Sequence, residues 1–310
     1  MKLSIVTTLY KSSPYIDEFY SRISKEAQKI TDDYEIIFVD DGSPDDSLQK
    51  VVALYEKDSK VKVIELSRNF GHHKAIMTGL SHAKGEFVFL IDSDLEEEPE
   101  LLGKFWKELH KEKNLDVVFG VQKTRKGGWF ERWSGKIFIK LFNLLSDVKI
   151  PKNFITARLF TKKAKESLLS YNERELCLGC MYYDIGFNQK EVVVTKLSHS
   201  PTTYTFSKKI NVMFNSIVSF SSKPLIYIFY FGLTTFVLSC FYIVKILIDK
   251  FYYEMIIEGW TSVIISVWLF GSLTIMNLGI IGIYLSKIFI EVKQRPYTII
   301  KHLYEGDNNE

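Results

Sequence analysis

The sequence contains neither G-x-G-x-x-G nor G-x-x-x-x-G-K-[ST], so neither the usual dinucleotide-binding fold nor a P-loop NTPase is supported. Cysteine is scarce, with three in 310 residues. Cys177 and Cys180 stand at C-x-x-C spacing, but no second pair accompanies them. Reduced, packed thiols are therefore the ordinary reading, and zinc or redox chemistry the exception. Charge of one sign is barely in excess: the net +3 is too small to point to nucleic acid. A cleavable signal is also lacking, because Met1-Lys2 runs straight into a strand-like segment. The expectation is an N-terminal part that stays in the cytoplasm. At 25% charged and 46% hydrophobic the composition is that of a globular protein. The mean hydropathy of +0.01 is nevertheless high for a soluble enzyme, and the apolar excess lies in the last third.

What is there is organised around Phe87–Leu95, an apolar run that ends in Asp92-Ser93-Asp94. The run predicts a buried strand. Strand alternation would put Asp92 and Asp94 on one side and Ser93 on the other. Two such carboxylates repel unless a cation lies between them. A hard cation such as Mg²⁺ or Mn²⁺ is held by one or two carboxylates plus phosphate oxygens. The pattern therefore predicts a divalent-metal site for a diphosphate at a strand's carboxyl end, where open α/β sheets bind ligands.

Around it, strands are predicted at 3–9, 34–39, 61–66 and 116–121, alternating with helices to about residue 30, over 44–57, over 74–83 and from Pro99. Ser13 and Ser43 are predicted helix caps, each followed by Pro. The alternation argues for an α/β fold with a mainly parallel sheet. Asp40-Asp41-Gly42-Ser43 also closes a strand, and there a carboxylate can accept from a base N–H or a ribose hydroxyl while Gly42 turns the chain. A solvated turn is the plain alternative, but paired with D-S-D two strands later the motif favours a nucleotide site.

From Gly127 the pattern changes. Residues 129–145 and 206–220 each place Phe, Ile or Leu at helical spacing with basic residues nearby. Each fits an interfacial helix or an amphipathic helix packed on the sheet. Leu225–Ile248 is apolar except for Lys245, and Trp260–Ser286 carries no charge. Both exceed the roughly 20 residues that cross a bilayer. Lys208, Lys209 and Lys223 precede the first span; Lys287, Lys293 and Arg295 border or follow the second. Both ends are thus expected in the cytoplasm, with the acidic loop 249–258 outside. Gly279 and Gly282 are candidates for close helix contact. The expected organisation is a catalytic domain over 1–205, a juxtamembrane amphipathic segment over 206–224, a two-helix transmembrane anchor over 225–290 and a cytoplasmic tail over 291–310.

Leu3–Tyr10 (LSIVTTLY), Val39–Ser43 (VDDGS), Ser67–Gly71 (SRNFG), Asp92–Leu95 (DSDL) and Ser219–Leu225 (SFSSKPL) together resemble the membrane-anchored family 2 glycosyltransferases. The similarity is to their polyprenyl-phosphate branch and covers nearly the whole chain. It implies a GT-A, Rossmann-like catalytic domain, a UDP- or GDP-sugar donor, Mg²⁺ or Mn²⁺, inversion at the anomeric carbon, and a polyprenyl phosphate acceptor at the cytoplasmic membrane. It also implies assembly into tetramers as one form. Carried over by position, Thr8, Tyr10, Asp40 and Asp41 fall where relatives hold base and ribose. Gly42, Ser43, Arg68, Asn69 and His73 complete the nucleotide-sugar set. Asp92 and Asp94 match the catalytic D-x-D pair and, with Glu96, the metal site. Arg158 matches a further catalytic position, and Arg125 and Arg132 lie where relatives bind the lipid phosphate.

Two departures stand out. Relatives often read D-F-R-L-M where this chain has Thr156-Ala157-Arg158-Leu159-Phe160, so a proposed catalytic carboxylate is Thr156 here. Many also carry Arg before G-x-[ST]-K-Y, where this chain has Ser198–Tyr204 (SHSPTTY). A lipid monophosphate is already ionised and nucleophilic, so it needs positioning rather than deprotonation. A sugar hydroxyl would need a general base. Asp184, His72, His73 and Glu175 are the candidates, and no spacing singles one out. Three readings follow: transfer to polyprenyl phosphate, extension of a lipid-linked saccharide, or a membrane scaffold that keeps the fold.

Overall fold

The computed structural model describes residues 1–122, 153–195, 221, 223–252 and 259–306. The chain divides into two compact units. One comprises Met1–Ile139, Val148–Thr205 and Arg295–Glu310, the other Lys140–Asp147 and Phe206–Gln294.

The first unit is built on an eight-stranded sheet. Its first half runs β1 (Leu3–Leu9), α1 (Ile16–Gln28), β2 (Tyr34–Asp40), α2 (Ser47–Tyr55), β3 (Val61–Leu66), α3 (His72–His82) and β4 (Phe87–Leu90). The second half runs α4 (Leu101–Lys111), β5 (Val117–Gln122), β6 (Phe154–Thr161), α5 (Lys162–Leu169), α6 (Leu178–Asp184) and β7 (Gln189–Val194). The strand order is β7-β5-β6-β4-β1-β2-β3-β8, with β8 contributed by Ile300–Tyr304. Every residue of β1 and β2 is buried. Covered on both faces, such strands read as continuous apolar runs rather than alternating ones, which is why they were legible as core strands. Phe19, Phe38, Phe89 and Phe105 are fully buried, and each such side chain contributes roughly 1.5–3 kcal/mol.

The chain adds β2 and β3 on one side of β1, then crosses back through α3 to place β4 on the other side. β1, β2, β3 and β4 are parallel. The carboxyl ends of β1 and β4 therefore flank a crevice at a reversal of strand order, where α/β folds bind ligands.

The structure differs from the sequence reading at several places. β4 ends at Leu90, so Asp92 and Asp94 lie on a turn beyond the strand. The expected sidedness persists: Ser93, Leu95 and Glu97 are buried, while Asp92, Asp94 and Glu96 are half-buried. Ser13 and Ser43 do not cap; the N-caps of α1 and α2 are Tyr15 and Asp46, neither with a side-chain cap bond. β6, β7 and β8 were not anticipated. β6 enters antiparallel between β4 and β5, and β7 pairs parallel with β5. β8 pairs antiparallel with β3, so Ile300–Tyr304, within the expected cytoplasmic tail, form the sheet's edge strand. Glu305 anchors its end through Lys62 at 2.6 Å and Lys84 at 2.9 Å. Those two cations hold the Glu305 carboxyl at about 2.

The second unit contains α7 (Lys223–Tyr252) and α8 (Trp260–Val292). Lys223–Tyr242 and Ser262–Val292 are long and apolar enough to cross a membrane. The Tyr284 hydroxyl donates to the Ser221 carbonyl at 2.8 Å. Among the described residues nothing lies within 4 Å of where a Cβ would stand on Gly279 or Gly282. The expected amphipathic segments over 129–145 and 206–220 lie outside the described residues.

Candidate active site

Three strand ends converge at the crevice. From β2, the buried Asp41 receives the backbone N–H groups of Phe70 at 2.7 Å and Gly71 at 3.0 Å. Hydrogen bonds to a charged acceptor are worth roughly 1.5–3 kcal/mol each, so Asp41 is the clamp that shapes the loop before α3. Burial pushes its carboxyl up, and the two donors oppose that shift. Gly42 makes the close approach feasible. Its φ is +61°, and a Cβ there would lie 2.6 Å from Arg68 C and Asn69 N. Asp40 is 2% exposed and is pushed up to about 6, chiefly by burial. The Ser43 N–H at 3.3–3.4 Å only partly offsets that burial.

Asp45, which the sequence reading passed over, is the hub of the adjoining turn. It accepts from the Ser43 and Ser47 hydroxyls, each at 2.6 Å, and from the backbone N–H of Ser13 and Ser47. Burial would raise its pKa, but these donors outweigh it and hold the carboxyl at about 2. The Ser43 hydroxyl also accepts from Lys11 N–H at 2.7 Å. The Ser43 hydroxyl and the Ser13 backbone N–H thus tie the β1 and β2 loops together, and the Ser43 hydroxyl is spent there rather than on a helix cap. The serine-rich spacing S-S-P…S-P-D-D-S held that signal, since short hydroxyl side chains compete for backbone groups in turns.

A cavity of about 120 Å³ is lined by Thr8, Leu9, Tyr10, Asp41, Asn69, Gly71 and His72. His72 bridges its wall. Its Nδ1 lies 3.1 Å from the Thr8 hydroxyl and its Nε2 3.4 Å from Asp92 Oδ1. His73, expected among the nucleotide-sugar residues, has Nδ1 3.1 Å from the Leu176 carbonyl. The paired histidines could not be told apart by type. The helical turn that begins at His72 sends them to different partners. Arg68 lies over the Phe70 ring at 4.1 Å, and its Nη1 donates to the Asn69 carbonyl at 3.0 Å.

The D-x-D turn is held from beneath. The buried Ser93 hydroxyl lies 2.9 Å from the Thr8 carbonyl and 3.0 Å from the Ser12 hydroxyl. Asp94 Oδ1 accepts from Glu96 N–H at 3.0 Å, and Leu95 takes φ +57°. Beyond it the buried Glu97 accepts from Thr156 N–H at 3.0 Å and Ala157 N–H at 2.8 Å. Glu97 was not anticipated; in a run of three glutamates only the alternation of burial separates it from Glu96 and Glu98.

Arg158 stands behind this turn, fully buried. Its guanidinium lies 3.7 Å from the Tyr182 ring centroid, with Phe119 at 5.3 Å and Phe154 at 5.4 Å. None of its nitrogens has a hydrogen-bond partner among the described residues. Burial lowers its pKa, while the Tyr182, Tyr183 and Glu97 side chains favour the charge. Arg125 and Arg132 lie outside the described residues.

The donor set can be tested for a metal. Among the described residues no group of three or more His, Cys, Asp or Glu is arranged to hold one. Asp92 and Asp94 therefore do not form a protein-only cage. They do fit a hard cation completed by phosphate oxygens, since Mg²⁺ is typically bound by one or two carboxylates plus substrate phosphates.

The pattern of Glycosyl transferase family 2 matches residues 4–183, more than half of the chain. The chain is 49% identical over 307 residues to a Mycobacterium tuberculosis protein carried under the general name of glycosyltransferase, covering 99% of this chain and 90% of the relative. It is 29% identical over 310 residues to a prophage-derived bactoprenol glucosyl transferase of Shigella flexneri, covering 99% and 100%. Among solved structures it resembles a mannosyltransferase of Pyrobaculum calidifontis in complex with GDP-Man and Mn²⁺. That likeness has a TM-score of 0.50 at 17% identity, over 70% of this chain and 63% of the other, and speaks to a GT-A-like fold.

Proposed function

The chain belongs to glycosyl transferase family 2 and is a glycosyltransferase, and from that premise we propose that it moves one sugar from a UDP- or GDP-sugar to a polyprenyl phosphate. The observation that supports this most is the meeting of Asp92 with Thr8 through His72, beside the loop that Asp41 clamps. On this reading the cavity takes the nucleoside, with Asp41 in its wall and Asp40 the residue before it. The donor's diphosphate lies toward Asp92 and Asp94.

Asp92 and Asp94, with Glu96 near them, would hold Mg²⁺ or Mn²⁺, which when bound offsets the negative charge of the departing nucleoside diphosphate. The acceptor's phosphate oxygen attacks the anomeric carbon from the face opposite the diphosphate, the bond to the diphosphate breaks, and the configuration inverts. An ionised phosphate needs no base, which agrees with Thr156 standing where relatives often carry Asp. The likeness to the bactoprenol enzyme over almost the full length of both chains favours a lipid phosphate acceptor. In this reading α7 and α8 anchor the enzyme in the cytoplasmic membrane, with the basic residues Lys223, Lys287, Lys293 and Arg295 on the cytoplasmic side. Arg125 and Arg132 are assigned to the lipid phosphate, and Arg158 to support of the catalytic turn.

The test is transfer by the purified full chain, with Mn²⁺, from a panel of labelled UDP- and GDP-sugars to undecaprenyl phosphate. A labelled lipid monophosphate sugar is expected. Label that appears only on an added lipid-linked saccharide would overturn the reading.

A further inference from the structure

Cys177 and Cys180 are used by nothing in the catalytic reading. Cys177 is the N-cap of α6, and its carbonyl accepts from Cys180 N–H at 2.8 Å and Met181 N–H at 3.1 Å. That first turn brings the two sulfurs to 2.9 Å. Cys177 is half-exposed and Cys180 fully buried. Among the described residues no third His, Cys, Asp or Glu joins them in a metal-holding group. The arrangement is one accessible thiol backed by one shielded thiol, with the two sulfurs already in contact. Cys177 also adjoins Leu176, whose carbonyl meets His73, the neighbour of the cavity-lining His72.

We propose that Cys177 and Cys180 are a reversible dithiol–disulfide pair, and that closing it restrains the Leu176 contact with the start of α3. The oxidant is a low-molecular-weight disulfide. The Cys177 thiolate attacks one of its sulfurs and releases one thiolate, leaving a mixed disulfide on Cys177. Cys180 then gives up its proton and attacks the Cys177 sulfur, releasing the second thiolate. Two protein thiols are oxidised, one small disulfide is reduced to two thiols, and no other reactant is consumed. The accessible Cys177 attacks and the buried Cys180 resolves. The shared proton and burial both keep the Cys180 thiol protonated until then. Pairs of this kind inside cells are characteristically transient and redox-sensing.

The test uses the full chain in detergent, equilibrated with reduced and oxidised glutathione, then alkylated and weighed. Expected in oxidised glutathione is the loss of two alkylatable thiols, with Cys240 still reactive, so that the alkylated mass falls by two alkyl groups relative to the fully reduced protein. A peptide cross-link joins Cys177 to Cys180, and dithiothreitol reverses it. Cys180→Ser should instead retain glutathione on Cys177, and Cys177→Ser should take up none at Cys180. Three alkylatable thiols in oxidised glutathione, or cross-links formed only through Cys240, would overturn the pair. Amide exchange over residues 72–76 is expected to slow on oxidation. Unchanged exchange alongside a formed disulfide would overturn the link to α3.

Discussion

Replacing Asp40 by Asn is expected to stabilise the ligand-free protein while removing its ability to hold the donor. Asp40 is 2% exposed, and its carboxyl is pushed from the ordinary 3.8 to about 6. At 1.36 kcal/mol for each tenfold change in acidity, the displacement corresponds to about 3 kcal/mol. Its sign is opposite to that of a salt-bridged aspartate. The folded state holds the proton more tightly than the unfolded state, so the ionised carboxylate subtracts from stability. The penalty is absent below about pH 4, grows between about 4 and 6, and is complete above 6. The amide of the Asp40→Asn variant keeps an acceptor for the Ser43 N–H but donates where the carboxylate accepted, which costs about 1 kcal/mol. The net gain at pH 7.5 is about 2 kcal/mol, or roughly 4–8 °C for a domain of this size. The assay is thermal unfolding of wild type and Asp40→Asn in detergent, without nucleotide, from pH 4.5 to 8. The gap should open as the pH rises through the window and stay level above it. A variant no more stable than wild type at pH 7.5, or a gap independent of pH, would refute the assignment of a buried, destabilised carboxylate. Added UDP or GDP should raise the melting temperature of wild type and leave that of the variant unmoved.

Asp92→Asn should lower transfer by about 100-fold or more and change stability by less than about 0.5 kcal/mol, as read by product formation and by melting side by side. Gly42→Ala forces a Cβ to 2.6 Å from the backbone of Arg68 and Asn69 at a positive φ; a loss of more than about 1 kcal/mol is expected, together with weaker nucleotide binding measured by titration. Glu97→Gln turns an amide NH₂ toward one of two backbone donors on β6. It should cost about 1–3 kcal/mol in denaturant unfolding, and Glu97→Ala should cost at least as much.

The parallel half of the fold was readable because its strands are buried on both faces and spell themselves out as apolar runs. β1 and β3 fall on the residues their composition indicates. β6, β7 and β8 escaped because partners far along the chain decide them. Phe154–Thr161 carries Arg158 at its centre, and Ile300–Tyr304 is mostly exposed at the sheet's edge. Neither has the signature of a core strand. At the site, Asp40, Asp41 and Asp92 were visible because carboxylates at strand ends are conspicuous. Asp45 and Glu97 were not, and His72 stood only as one of four general-base candidates, since each lies beside a residue of the same type or charge. Only the folded turn decides which of two neighbours faces inward, and a single residue of phase separates His72 from His73.

β8 also imposes an order of events. Among the described residues the outer edge of β3 is paired by residues 300–304, which follow both long apolar helices along the chain. While the ribosome makes α7 and α8, the sheet already has its interior strands but exposes a row of unpaired N–H and C=O groups along β3. An open edge of that kind is a template for pairing with other chains. Completion of the catalytic unit therefore waits on a segment that follows both long helices along the chain. A nascent chain that stalls between residue 252 and residue 299 has its D-x-D turn in place and its sheet unfinished.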